Sequence, residues 1–268
     1  MSSSASTPSH RDPATIAEYF GRLATTYGDG AYYGMRRRAV LEAIASDFAG
    51  ARNVLDLGCG NASYLREFAN EPGRRRLVGA DLTFDMLKAA RQRVPPTCGL
   101  IRANASQLPL KSGSFDFIFA SHVLPFVNHL DEVIAEVVRC VSRGGVLIVT
   151  GHRDDSIRRV MSEIVGAERW QKYSEVIFRR APRQHDATRN ILFHEALAKV
   201  GLRVEERHAP FTIAWPDIDE WIRIRWRPLI PEAERERADR MLAELAQLAA
   251  SRTVDLYEPL ILGRKPPA

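Results

Sequence analysis

The stretch "VLDLGCGNASYL", residues 54–65, decides the fold. Val54, Leu55 and Leu57 form a short apolar run with an acid, Asp56, near its end. Gly58 and Gly60 follow as a bare turn, and "ASYLREFAN" then continues with helical spacing. A glycine-rich turn between strand and helix lets the backbone approach a ligand closely, and such turns often cradle phosphate. Here an acid precedes the glycines, and Ser63 stands where a dinucleotide fingerprint has its third glycine. Two like charges in a poorly screened cleft repel. The turn therefore disfavours a phosphate and favours a ligand with a cationic end.

Outward from this turn, short apolar runs alternate with amphipathic stretches. "RLVGAD", "GLIRAN", "FDFIFAS" and "GGVLIVT" have the composition of strands, and "FDMLKAARQRV" and "LDEVIAEVVRCV" have helical periodicity. This alternation predicts an α/β fold, a Rossmann-like doubly wound, mostly parallel sheet of seven strands. The near-continuous apolar strands suit a sheet covered on both faces. In such sheets ligands bind beyond the carboxyl ends of the strands. The residues at those ends are Asp56, Gly58, Cys59 and Gly60 after the first strand, Asp81 at the second, Asn104 and Ala105 after the third, and Ser121 and His122 after the fourth. Asp81 lies 21 residues beyond Gly60, a spacing at which an acid can accept from both ribose hydroxyls. Asp116 is read as organising the entry to its strand.

The ends of the chain carry the elaborations. Residues 1–12 are Ser-rich and read as a flexible tail without the apolar core of a signal peptide. Ile16, Phe20 and Leu23, then Val40, Leu41, Ile44 and Phe48, predict two helices over residues 13–50 that serve as a lid. Residues 51–210 form the core, with a mostly helical stretch over 154–181 broken at "RRAPRQHD". Residues 211–252 form a helical insertion with an apolar stripe at Ala238, Met241, Leu242, Leu245 and Leu248, expected to cap the acceptor. Residues 253–268 supply the last strand, whose Pro259 suits an edge or a bulge.

The basic excess of 38 over 33, or +5, is compatible with an anionic partner without demanding one. Cys59, Cys98 and Cys140 are too sparse for a disulfide framework or a structural zinc site, so a reducing, cytoplasmic setting and no metal are expected. No window resembles a membrane span. "WIRIRWRP" interleaves aromatics with arginines, yet residues 216–252 hold seven arginines and eight acids, a poor electrostatic funnel for nucleic acid. A packed cap or an acceptor pocket remains open for Trp215, Trp221 and Trp226. Among the histidines, His122 alone stands at a strand's active end, as a general base or a packing residue; His129, His152, His185, His194 and His208 share no ligand spacing.

At these residues the sequence resembles the class I S-adenosylmethionine-dependent methyltransferases, in particular the ubiquinone/menaquinone-biosynthesis-like small-molecule group. The matching stretches are "VLDLGCGNASYL", "LVGADLTFDMLKAAR", "LIRANASQLPLKSGSFDFIFASHVL" and "LDEVIAEVVRCVSRGGVLIVT", in order over residues 53–150. The cofactor implied by the resemblance, S-adenosyl-L-methionine, has an adenosine, no phosphate, a sulfonium and an ammonium, and its cationic end suits the first turn. The resemblance implies that Asp56, Gly58, Cys59 and Gly60 hold the methionine part, that Asp81 binds the ribose, and that Leu82 packs on the adenine. It further implies that Asn104 accepts from the adenine amino group, that the Ala105 backbone addresses the ring, and that the Ser121 carbonyl sits near the ammonium. Tyr27 resembles a tyrosine that reaches the cofactor carboxylate, with Tyr33 nearby. The family commonly has Asp where Asn104 stands, and its "HH" after the fourth strand is "LPF" here, residues 124–126. The expected activity is methyl transfer to a small, partly apolar, secondary-metabolite or quinone-like acceptor, with His122 as the candidate base and the protein a monomer or homodimer. The alternatives are an RNA or protein methyltransferase and a cofactor-binding scaffold without turnover.

Overall fold

The structure is a computed structural model that describes residues 12–151, 156–177 and 188–267. The expected tail, apart from Asp12, and the break at "RRAPRQHD" lie outside the described residues. Seven strands form one sheet: β1 (Asn53–Leu57), β2 (Arg76–Asp81), β3 (Gly99–Arg102), β4 (Phe115–Ala120), β5 (Val141–Thr150), β6 (Arg203–Ala214) and β7 (Thr253–Arg264). Their order is β3-β2-β1-β4-β5-β7-β6. The first five are parallel, and β7 runs antiparallel to both of its neighbours.

Helices cover both faces, so the strands are apolar on both sides. On one face α5 (Leu130–Cys140) and α8 (Thr188–Lys199) bring Ile134, Val138, Phe193 and Leu197 onto Leu55, Ile118, Leu147 and Ile261. On the other, α2 (Ala31–Ala49) and α3 (Ser63–Asn70) bring Ile44, Phe48, Leu65 and Phe68 onto Val54, Phe117, Ile148 and Leu260. Phe48 stacks on Phe68 and meets Phe117 edge-on, the offset and T-shaped geometries that aromatic quadrupoles favour. Burial of these side chains at about 25 cal/mol per Å² is the main favourable term holding the layers together.

One expectation is corrected. Pro259 is not on an edge strand, because β7 lies between β5 and β6. The ladder tolerates it because β5 stops pairing at Thr150 opposite Leu260, and the Pro259 carbonyl accepts from Gly151 beyond that end. The donor that proline lacks therefore points where β5 has already left the sheet. Of the two N-terminal helices, α1 (Pro13–Leu23) stands over the carboxyl edge, whereas α2 packs Val40, Ile44 and Phe48 into a core layer and brings Tyr33, Arg36 and Arg37 of its first half to that edge. The Asp12 carboxylate starts α1 by accepting from the Ala14 and Thr15 amides, both at 3.1 Å.

The insertion begins at Trp215, after a β6 longer than the sequence suggested. It contains α9 (Trp215–Arg225) and α10 (Glu232–Leu248). Met241, Leu242 and Leu245 of its stripe pack with α6 (Ser156–Val165) and α7 (Ala167–Ile177) around buried Trp215, Trp221 and Trp226, Ala238 joins a neighbouring cluster with Val176 and Ile230, and Leu248 is exposed. Among the described residues no helix is long and apolar enough to cross a membrane.

Candidate active site

The carboxyl ends of β1, β2 and β4 converge on a cleft of two adjoining chambers. The larger is lined by α1, the turn after β1, the end of β2, residues 103–106 and residues 121–129. The smaller lies between α2 and the turn after β1. Tyr27, Gly58, Gly60 and Ser121 line both. All twelve residues singled out from the sequence line one chamber or the other.

The turn after β1 is shaped by glycine. Gly58 has φ of +65°, and a Cβ there would lie 2.2 Å from Val123 Cγ2. Only glycine meets both demands. The Gly58 and Cys59 amides donate to the Ala80 carbonyl, and the Gly60 amide donates to Asp81 Oδ2 at 2.8 Å. The Thr83 amide donates to Asp81 Oδ1 at 2.8 Å, so the turn and the end of β2 hold one another. Cys59 packs over Gly79, and burial pushes its thiol pKa well up, which makes it a small wall residue and not a nucleophile.

Asp56 is buried, and its Oδ2 has no hydrogen-bond partner. Burial, and secondarily the Asp81 carboxylate, pushes its pKa up to about 8. Burial also raises Asp81, against the amides of Thr83 and Gly60. A buried carboxylate oxygen without a donor is a site prepared for a cation. Asn104 lines the larger chamber, and its Oδ1 accepts from the Ser106 amide at 3.1 Å, which shapes the turn it sits in.

Three residues were not foreseen from the sequence. Arg36, almost fully buried, lines the smaller chamber, and its Nε has no hydrogen-bond partner. Burial opposes its charge, and Glu258 leads the groups that outweigh this, so Arg36 holds its proton more tightly than usual. Its signal was helical spacing, since Arg36 follows Tyr32 by four residues and so shares the buried face of α2. Buried Asn61 donates to the carbonyls of Ala24 at 3.1 Å and Tyr27 at 2.6 Å, which clamps the segment after α1 onto the turn. Glu258, fully buried on β7, places Oε1 2.7 Å from His122 Nε2, with the ring not aligned for a linear hydrogen bond. Its signal was a lone carboxylate in the apolar run "LYEPLILG".

The insertion does not line the larger chamber among the described residues. Trp221 instead stacks on Tyr32, with ring centroids 4.5 Å apart, behind the tyrosines of the smaller chamber. His129, read as solvated or structural, is exposed and lines the larger chamber beside Asn128. Asp116 accepts from the Arg52 and Asn53 amides at 3.0 Å, at the entry to β1 and far from the cleft. Among the described residues no cluster of His, Cys, Asp or Glu could hold a metal ion.

The sheet order, the glycine turn with its buried acid and the second acid at the end of β2 are similar to those of class I S-adenosylmethionine-dependent methyltransferase domains. The donor set fits that cofactor: buried Asp56 Oδ2 has no hydrogen-bond partner and suits a cation, and buried Arg36 lines the same chamber with a charge suited to a carboxylate. Residues 55–149 match the model of the family described as "Methyltransferase domain". The chain is 29% identical over 128 residues to a malonyl-(acyl-carrier protein) O-methyltransferase of Legionella pneumophila, covering 47% of this chain and 45% of that protein. It is 26% identical over 194 residues to a trans-aconitate 2-methyltransferase of Acidovorax ebreus, covering 70% of this chain and 73% of that protein. The chain thus spans about half the length of the first relative and about three quarters of the second. A Haemonchus contortus phosphoethanolamine N-methyltransferase, solved with S-adenosylhomocysteine, has the same fold with a TM-score of 0.55 at 18% identity, over 98% of this chain and 61% of that one.

Proposed function

We propose that the protein transfers the methyl group of S-adenosylmethionine to a small, partly apolar molecule held in the larger chamber, as part of small-molecule biosynthesis in the cytoplasm. The observation that carries this reading is the polarity of the cleft. One end gathers Asp56, Asp81, Arg36 and the glycine turn, while the other is walled by Ile16, Phe20, Phe126 and Val127.

When bound, the cofactor supplies a methyl group already activated on a sulfonium, so the protein's task is alignment and exclusion of water. Asp56 and the Ser121 carbonyl take the ammonium, Arg36 with Tyr27 and Tyr33 takes the carboxylate, Asp81 takes the ribose, and Leu82, Asn104 and Ala105 border the adenine. Cys59 and the glycines complete the wall. Phe20 on α1 meets Phe126 edge-on at 5.1 Å and adds an apolar wall to the acceptor end. His122 is the base for an acceptor that must lose a proton. The three cysteines are all free and buried, in keeping with a reducing compartment.

The test is twofold. Titration calorimetry of Asp81→Ala with S-adenosylhomocysteine should show affinity reduced by roughly 100-fold, given that a bidentate charge-assisted contact is lost. Unchanged affinity would sink the site assignment. Incubation with a metabolite extract and isotopically labelled methyl donor should add mass to one compound.

A further inference from the structure

Tyr64, the second residue of α3, is 5% exposed and belongs to two surroundings at once. Its ring packs in the core, with centroids 4.7 Å from Phe119 and 6.5 Å from Phe68. It also lines the smaller chamber, and its buried hydroxyl has no hydrogen-bond partner among the described residues. A buried tyrosine normally finds a partner for that group, because leaving it dry costs free energy. Packing explains the ring and leaves the hydroxyl unexplained.

Two more buried polar atoms without a partner belong to residues of the same chamber, Arg36 Nε and Asp56 Oδ2. As a carboxylate, Asp56 calls for a cation, whereas Arg36 Nε can only donate. The Arg36 guanidinium lies over the Tyr33 ring, 5.3 Å from its centroid, which engages the flat face and leaves the N–H edge for hydrogen bonds. Burial, the largest cause, pushes the Tyr64 phenol pKa up against the opposing effect of Arg36, so the hydroxyl keeps its proton and is a second donor. Two donors beside one acid match the carboxylate and ammonium of an α-amino acid.

We propose that Tyr64 is a further cofactor-binding residue, whose hydroxyl donates with Arg36 Nε to the carboxylate of the cofactor's amino acid part and makes the site select donors that carry this carboxylate. This rests on the reading of the smaller chamber as the place of that part. The need for a second donor follows from the surroundings of Arg36. Glu258 leads the groups that favour the Arg36 charge, so that charge is already balanced within the fold. An incoming carboxylate meets a cation whose field is partly compensated, and a neutral hydroxyl adds a hydrogen bond without adding charge. A ligand without a carboxylate would leave both donors dry. A site built around buried donors rejects such a ligand more strongly than an apolar pocket can.

The test compares S-adenosylhomocysteine with S-adenosyl-3-thiopropylamine, the same molecule without its carboxylate, by titration calorimetry on the full chain. The native protein should favour the first by about 100-fold or more. In Tyr64→Phe the ring and its packing stay, and only the hydroxyl goes. This variant should bind S-adenosylhomocysteine about tenfold more weakly and the decarboxylated compound as the native protein does. Its melting temperature without ligand should not fall, because the hydroxyl has no partner to lose. Unchanged affinity for S-adenosylhomocysteine overturns the proposal. An equal loss for both ligands, or a lower melting temperature, assigns the hydroxyl to the fold and overturns it as well. If the native protein binds both compounds equally, the carboxylate is not read and this inference alone fails. If it binds neither, the cofactor reading itself falls.

Discussion

Asp56 is buried with one carboxylate oxygen unpartnered, and its pKa stands at about 8, through burial first and Asp81 second. A ligand carrying an ammonium group prefers the ionised form of this acid. Binding must therefore expel a proton at any pH below about 8, and affinity should rise with pH toward that value, by up to about tenfold per unit. Calorimetry with S-adenosylhomocysteine near pH 6 and pH 7, in two buffers of different ionisation enthalpy, measures both. Identical heats in the two buffers would show that Asp56 is already ionised in the free protein. Asp56, Gly58, Gly60 and Asp81 were legible in the sequence because a strand, a tight turn and a strand end specify their places locally. Arg36 and Glu258 were not, because a charged residue in a helix or an apolar strand declares itself only when its partner across space is known.

Among the elements, α1 has no buried residue and reaches the site only through its inner face and Phe20. Its attachment lies in the link behind it. Asn61 holds the Ala24 and Tyr27 carbonyls, and Arg93 pairs with Asp29 at 3.1 Å and donates to the Thr25 carbonyl. Asn61→Ala should free this link, leaving two carbonyls without their buried donor at a cost of about 1–3 kcal/mol. The expected outcome is faster amide hydrogen exchange over residues 13–30 and weaker cofactor binding, with the sheet's exchange unchanged. Equal protection in α1 would mean that the aromatic contact of Phe20 with Phe126 suffices to hold it. Periodicity marked both N-terminal helices from the sequence. It could not say that α2 packs on the sheet and borders the smaller chamber while α1 borders the larger, since an apolar stripe names a buried face and not the surface that buries it. The same limit applied to the tryptophans of the insertion, whose partner proved to be a second cluster behind Tyr32 and Tyr33.

At the scale of the whole molecule, the antiparallel β7 and edge strand β6 complete the sheet, and α2 is tied to both through one buried carboxylate. Asp47, 5% exposed, receives Arg264 at 2.5 Å and Arg207 at 2.8 Å, and Glu205 contacts the same two guanidinium groups at 2.9 and 3.1 Å. Asp47→Asn should lower the unfolding free energy by about 1–3 kcal/mol, less than for a fully buried pair because both arginines reach solvent. Urea denaturation would show this as a lower midpoint with the slope retained, and cofactor affinity should be unaffected, because the cluster lies away from both chambers. An unchanged midpoint would assign the docking of α2 to its apolar face alone. The amino-acid sequence by itself determined the alternating α/β order, the glycine turn after β1 and the acids at the carboxyl ends of β1 and β2, because each depends on residues adjacent along the chain. Only the tertiary structure decided that β7 enters between β5 and β6, that Pro259 is tolerated there, and that Glu258 and Arg36 arrive beside His122 and Asp56. Strand insertion and the pairing of buried charges are settled by the sheet as a whole, where hydrogen-bond partners and burial come from segments far apart in sequence.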